Sequence, residues 1–319
     1  MSAFAPSAVH PPALRPGDRV HVVSPAGPVV PEILQPGIDR LQSWDLDVVV
    51  ADEVYARRPP YDYLAGDDDT RLRAFRDAWS DPQCRAILCS RGGYGTMRLL
   101  PHFDLAKLRK SPRLLVGFSD ITALHLYFAG VGAMPTIHGP VVKSLRRDSS
   151  DATRSADRLR RALFATSAAP QPWTGMKTVR GGRATGRVLG GNLSLVVAML
   201  GTPYCPSLDG AILVVEDIGE DDYRVDRLFT ALRLANSAAL AGLVLGDFTD
   251  CDGVYVDGDE VGAFIEHLAA QFDCPVVTGA PVGHEDTNFP FPVGVNAELD
   301  ADCGTLTFLR HAASPRDIR

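Results

Sequence analysis

In "RLLVGFSDITALHLYF", residues 113–128, a hydroxyl side chain stands at the junction of two patterns. Leu114, Leu115 and Val116 form a short apolar run, after which Ile121, Leu124, His125 and Phe128 recur at helical spacing. Ser119 sits between them, at a strand-turn-helix. Such a turn lifts its side chain out of the sheet and aims the first backbone N–H groups of the helix at whatever lies beside it. The chemistry that uses this arrangement is acyl transfer through a serine nucleophile. A serine hydroxyl is poorly nucleophilic at its free pKa and needs a base, usually a histidine held by a carboxylate. Of the eight histidines, His284 lies in a polar, Pro/Gly-punctuated loop directly after an apolar run, "CPVVTGAPVGHEDTNFPFPVG". Loops at strand ends are where α/β folds carry functional side chains.

The third group should be a carboxylate fixed where an unpaired charge would be costly. "AILVVEDIGED" delivers Glu216 at the exit of an apolar strand, with Asp217 as its rival, and pattern does not separate the two. Glu220, Asp221 and Asp222 read as the acidic first turn of the next helix. Acyl transfer also needs donors for the oxyanion. One is the backbone N–H of Asp120, inside the turn. Another would come from "SRGGYGT", where Gly92, Gly93 and Gly95 follow the strand "AILC" and let the backbone approach a ligand closely. That loop matches neither the dinucleotide nor the Walker spacing. Ser24 in "VVSPAG", Gly92, Tyr94, and His138 in "TIHGP" are the candidate substrate contacts, because these segments leave one edge of a parallel sheet. Trp79 belongs to a helical stripe and Trp173 to an irregular stretch, where it could cover a ligand; packing is the expectation for both.

The elements that must hold these residues alternate along the chain. "RVHVVSPAG", "DVVVADEV", "RAILCSRGG", "LLVGFSD" and "MPTIHGP" are strand-like, with amphipathic segments such as "TRLRAFRDAW" between them. Alternation of this kind means βαβ units and a parallel sheet. "DATRSADRLRRALF" reads as a helix with a solvated basic face. The stretch that follows is rich in Ala, Pro, Gly and Thr without apolar period, and a second α/β set runs from "GAILVVEDIGED" to "GTLTFLR". The expected fold is therefore α/β in two parts. Residues 1–166 form an N-terminal parallel-sheet domain carrying Ser119, 167–185 a linker and loop, and 186–319 a C-terminal α/β domain with a mixed sheet, carrying Glu216 and His284.

Bulk properties bound the function. A length of 319 residues fits two domains, and 45% hydrophobic with 22% charged residues is ordinary globular balance. The net charge of −7 offers no basic footprint for nucleic acid or anionic lipid. The amino terminus lacks a basic start followed by an apolar core, and no apolar run approaches the roughly 18–20 residues of a membrane span. A cytoplasmic protein is expected. The six cysteines are scattered without a C-x-x-C pair, so no metal is expected.

Taken together, "SPAG", "SRGGYGTMRLL", "LLVGFSDITALHLYF", "IHGP", "GGNLSLV", "LVVEDIGEDDYRVDRLFTAL", "GLVLGDF" and "PVVTGAPVGHEDTNFPFPVG" resemble, in order and across nearly the whole chain, the LD-carboxypeptidases of serine peptidase family S66. That family also includes microcin C self-immunity peptidases. The resemblance implies a Ser-Glu-His triad of Ser119, Glu216 and His284, with the oxyanion held by the backbone of Asp120 and Gly93. It implies two α/β domains with the active site in the cleft between them, no metal or cofactor, and a homodimer. The reaction it implies is removal of terminal D-alanine from murein tetrapeptides returned to the cytoplasm, at an amide after the L-configured centre of a diamino acid. The alternative is an immunity-type peptidase acting on peptidyl-nucleotides. Those peptidases grip a base with an aromatic-bearing loop in the connecting region, where this chain offers only Trp173. The G-F-S-D sequence also departs from the G-x-S-x-G elbow of α/β-hydrolases, with Ile121 in place of the second glycine.

Overall fold

The computed structural model describes residues 8–57, 59–165, 167–236, 240–253, 256 and 258–315. Two sheets organise it. The first contains β1 (Arg19–Val23), β2 (Asp47–Val50), β3 (Cys84–Cys89), β4 (Leu114–Gly117) and β5 (Thr136–His138), all parallel. The second contains β6 (Lys177–Arg180), β7 (Arg183–Asn192), β8 (Ala211–Ile218), β9 (Gly242–Thr249) and β10 (Val276–Thr278). Its centre, β7-β8-β9-β10, is parallel, and β6 closes one edge antiparallel to β10. Of the last strands, β11 (Phe291–Val293) returns to the first sheet and pairs antiparallel with β5. The hairpin of β12 (Asn296–Asp300) and β13 (Thr305–Phe308) extends the second sheet beyond β7.

The apolar runs behave as their burial demands. β4 is buried at every position and β8 at seven of eight, as expected of central strands covered on both faces. One face of the first sheet packs Val20, Val22, Leu88 and Val116 against Leu34, Leu41 and Leu159 from helices Pro31–Gln42 and Ser150–Phe164. The core on its other face runs without a break from Phe75, Trp79 and Phe128 to Val188, Leu213 and Val244 of the second sheet. The two sheets thus share one core.

Two features differ from the sequence expectation. The segment read as linker and loop contains β6 and the start of β7; β6 is mostly exposed at the sheet edge, so it carries no apolar period to read. Trp173 packs as expected, buried edge-on against Phe291 and Phe308 and bridging to Leu306. After Ser119 the helix is not regular. A 3₁₀ turn over Ser119–Ile121 leads into one α turn, Thr122–His125, and a π turn, Leu126–Val131. Among the described residues no helix is long and apolar enough to cross a membrane.

Candidate active site

Ser119 follows β4 with φ +64°, a left-handed conformation that an L-residue adopts only at a cost. The flanking structure imposes it. Asp120, almost wholly buried, accepts the Thr96 N–H at 2.8 Å and so ties the turn to the loop after β3. Burial pushes its carboxyl pKa up, and the Thr96 hydrogen bonds and the Arg71 charge oppose the rise. On the far side, Thr122 Oγ1 accepts the Asn192 N–H at 2.9 Å. This docking depends on the "GGN" at the end of β7, because a Cβ on Gly191 would stand 2.3 Å from Thr122 Oγ1. The turn is held between the two sheets.

Gly92 and Gly93 lie against it. A Cβ on Gly92 would meet Ser119 Cβ at 2.7 Å and Oγ at 2.9 Å, so only glycine lets the loop close over the hydroxyl. Gly93 has φ +115°, and the Gly27 N–H reaches Gly92 O at 3.2 Å, joining "SPAG" to "RGGYG". Arg71, buried in helix Asp68–Ser80, clamps both segments by donating to Pro25 O and, at 3.0 Å, to Gly95 O. We expect Gly92→Ala to lower kcat/KM about 100-fold through displacement of the hydroxyl. Steady-state kinetics beside a far-UV spectrum would check it; a full rate would show that the hydroxyl does not depend on this contact.

Glu216 enters from the end of β8, in register with Asn192, and is fully buried. Its Oε2 accepts a 2.7 Å hydrogen bond from His284 Nδ1. Its Oε1 has no partner among the described residues. Burial raises the Glu216 pKa, the His284 contact opposes the rise, and the charge of Asp217 adds to it. Asp247 on β9 is likewise pushed up, to about 6, by burial and by Glu285 and Glu216. His284 rests against the Phe118 ring, with centroids 4.9 Å apart. Its ring and the Ser119 side chain line one cleft of about 230 Å³ with Gly92 and Gly93. Larger clefts of about 410 and 630 Å³ lie elsewhere and contain none of these groups, so size does not mark the site.

Asp217 does different work. It accepts Asn192 Nδ2 at 2.6 Å, Ser194 N at 2.9 Å, Ser194 Oγ at 2.8 Å and its neighbour Ile218 N at 2.9 Å. Those bonds pin helix Leu193–Met199 to the strand end. Asp217→Asn should cost about 2 kcal/mol of stability, because an amide cannot accept all these donors, while leaving kcat within a few-fold. Urea unfolding beside kinetics tests this; a large loss of kcat at unchanged stability would move the acid's role to Asp217.

The remaining candidates divide. Tyr94 is exposed beside Tyr63, with ring centroids 6.0 Å apart. Ser24 and His138 are fully buried rather than at the cleft wall. Ser24 is bonded to Ser90 through its hydroxyl, and its backbone N–H donates to the buried Glu53 carboxylate, whose pKa burial pushes up to about 7. His138 stacks on Phe291 at 4.6 Å, and burial drives its pKa well down. Sequence reasoning passed over Arg71, Phe118 and the cations of the cleft. An arginine beside the apolar stripe of the amphipathic "TRLRAFRDAW" is the sequence signal for Arg71, and only the structure shows that it is buried.

Comparison with known proteins decides the family. Residues 20–139 match the model of the LD-carboxypeptidase N-terminal domain, and residues 185–299 that of the LD-carboxypeptidase C-terminal domain. The chain belongs to the LD-carboxypeptidase family, peptidase family S66. It is a serine-type carboxypeptidase. Among relatives of this S66 carboxypeptidase, a putative carboxypeptidase of Streptomyces coelicolor is 41% identical over 95% of this chain and 97% of its own length. The murein tetrapeptide carboxypeptidase of Pseudomonas aeruginosa is 34% identical over 89% of this chain and 94% of its own. The microcin C7 self immunity protein MccF shares the fold, with a TM-score of 0.85 at 21% identity, covering 96% of this chain and all of the other.

Proposed function

We propose that this S66 carboxypeptidase removes the terminal D-alanine of murein tetrapeptides with Ser119 as nucleophile, His284 as general base and Glu216 as the acid that orients it. The observation that carries the reading is the 2.7 Å pair of His284 Nδ1 and buried Glu216 Oε2, placed so that the same imidazole lines the cleft that holds Ser119. With Nδ1–H committed to the carboxylate, Nε2 is left to accept the Ser119 proton as Oγ attacks the carbonyl carbon. The backbone N–H groups of Asp120 and Gly93 receive the developing oxyanion. Collapse breaks the C–N bond, the imidazolium protonates the leaving amine, and D-alanine departs. Water, deprotonated by the same imidazole, then hydrolyses the acyl-enzyme and restores Ser119.

The named activity of the Pseudomonas relative supports the murein substrate, and the structure favours it over a peptidyl-nucleotide at one point. Trp173, the aromatic of the connecting region, is buried in the core rather than free to stack on a base. Mass spectrometry of the protein with L-Ala-γ-D-Glu-meso-diaminopimelyl-D-Ala tests the reading. Release of D-alanine is expected; cleavage of an aminoacyl sulfamoyl nucleotide in its place would overturn the substrate.

A further inference from the structure

The wall of the Ser119 cleft is electrically one-sided. Arg91, Lys143, Arg146 and Arg147 line it, and among the described residues no carboxylate does. In a chain with a net charge of −7, four cations around one cleft without an acid among its lining residues is a costly arrangement that a bound anion would relieve. The four are not equivalent. Arg147 is engaged by Asp286 at 2.8 Å, and Arg91 donates to Pro28 O at 3.3 Å. Lys143 is half-buried, with no side-chain partner among the described residues, and burial together with Arg91, Arg146 and Arg147 lowers its pKa. Its backbone is fixed. It lies in the short 3₁₀ segment Val142–Arg146 after β5, and its N–H donates to Ser90 O at 2.9 Å, beside the loop that carries Gly92 and Gly93.

The chemistry of the reaction says which anion. In a carboxypeptidase substrate the residue beyond the scissile amide ends in a carboxylate, on the order of 4 Å from the attacked carbonyl. Lys143 lines the same cleft as Ser119, on the side where such a carboxylate would be held, and an endopeptidase has no use for a cation there.

We propose that Lys143, flanked by Arg91 and Arg146, is the anchor for the substrate's terminal carboxylate and confines the enzyme to removing a single residue. This rests on the function proposed above and assigns the specificity of the same site to named residues. A charge-assisted hydrogen bond in a partly desolvated cleft separates a carboxylate from a neutral amide by about 30- to 100-fold in kcat/KM.

The test compares the tetrapeptide with its C-terminal D-alaninamide as substrates. The wild type should prefer the acid by about 30-fold or more, and Lys143→Gln should collapse that preference to about 3-fold. Lys143→Arg, which keeps the charge, should retain most of it. Arg146→Gln, at an exposed position where folding is not at issue, should reduce the preference by a smaller factor. A merely structural role for Lys143 would slow both peptides alike and leave the ratio unchanged, which overturns the anchor. Equal use of acid and amide by the wild type overturns it too, with the carboxypeptidase chemistry left standing. Failure of the wild type on both peptides overturns the proposed function and the anchor with it.

Discussion

Ser119→Gly should leave a protein that is more stable than the wild type by about 1 kcal/mol and turns over at about 10⁻⁴ of its rate or less. The two effects have one source. Ser119 holds φ +64°, where its Cβ crowds the backbone and where glycine is at ease. The turn is nonetheless kept there by the Thr96–Asp120 and Asn192–Thr122 bonds on its two sides. Removing the Cβ releases the strain, and removing the hydroxyl removes the proposed nucleophile. Ser119→Ala separates the two, since alanine keeps the Cβ: it should lose the rate equally and gain no stability. A thermal melt of the three proteins, with an expected rise of about 2 °C for glycine alone, reads the first effect, and D-alanine release reads the second. Substantial turnover by either variant would remove Ser119 from the chemistry. A glycine variant less stable than the alanine one would mean that the turn is not strained.

Ser119 was legible because the continuous apolar run of a strand buried on both faces gives way to helical spacing at one residue, a change written directly in apolar positions. The βαβ order was legible for the same reason, as was the mixed character of the second half. What escaped has a common cause: it is decided by partners far apart in the chain. Glu216 and Asp217 leave the same strand on opposite faces, and only the surroundings, His284 for one and Asn192 with Ser194 for the other, tell them apart. β6 is short and exposed, so burial leaves no mark on its sequence. The segment after His284 looked like loop, yet three of its residues, Phe291–Val293, cap the first sheet. His138 reads as a pocket residue from its place at a strand end, but the return of β11 lays Phe291 over its ring. Lys143 and Arg91 meet because parallel strands bring their carboxyl ends to one edge, and no local pattern announces such a meeting.

Replacing Glu216 by glutamine should lower kcat by about 10²- to 10⁴-fold while leaving KM within a few-fold. The isosteric amide fits the same space, so the loss is electronic. Glu216 Oε2 can only accept, which fixes the proton of His284 on Nδ1 and leaves Nε2 free to act as base. A glutamine can turn its NH₂ toward Nδ1, and the ring then carries its proton on Nε2, where it cannot take one from Ser119. The imidazolium formed during attack also loses the adjacent negative charge. Stability should move the other way. Burial raises the Glu216 pKa, so its charged form is penalised at every pH above that raised value, and the penalty fades as pH falls through it. The glutamine variant should therefore match or exceed the wild type at pH 8, with the advantage closing on acidification. Denaturant titrations at pH 8 and pH 5 beside kcat measurements read both predictions from the same two proteins. An unchanged kcat would take Glu216 out of the triad and make Asp217 the next acid to test, whereas a variant destabilised at pH 8 would show that the hydrogen bond from His284 outweighs the burial of the charge.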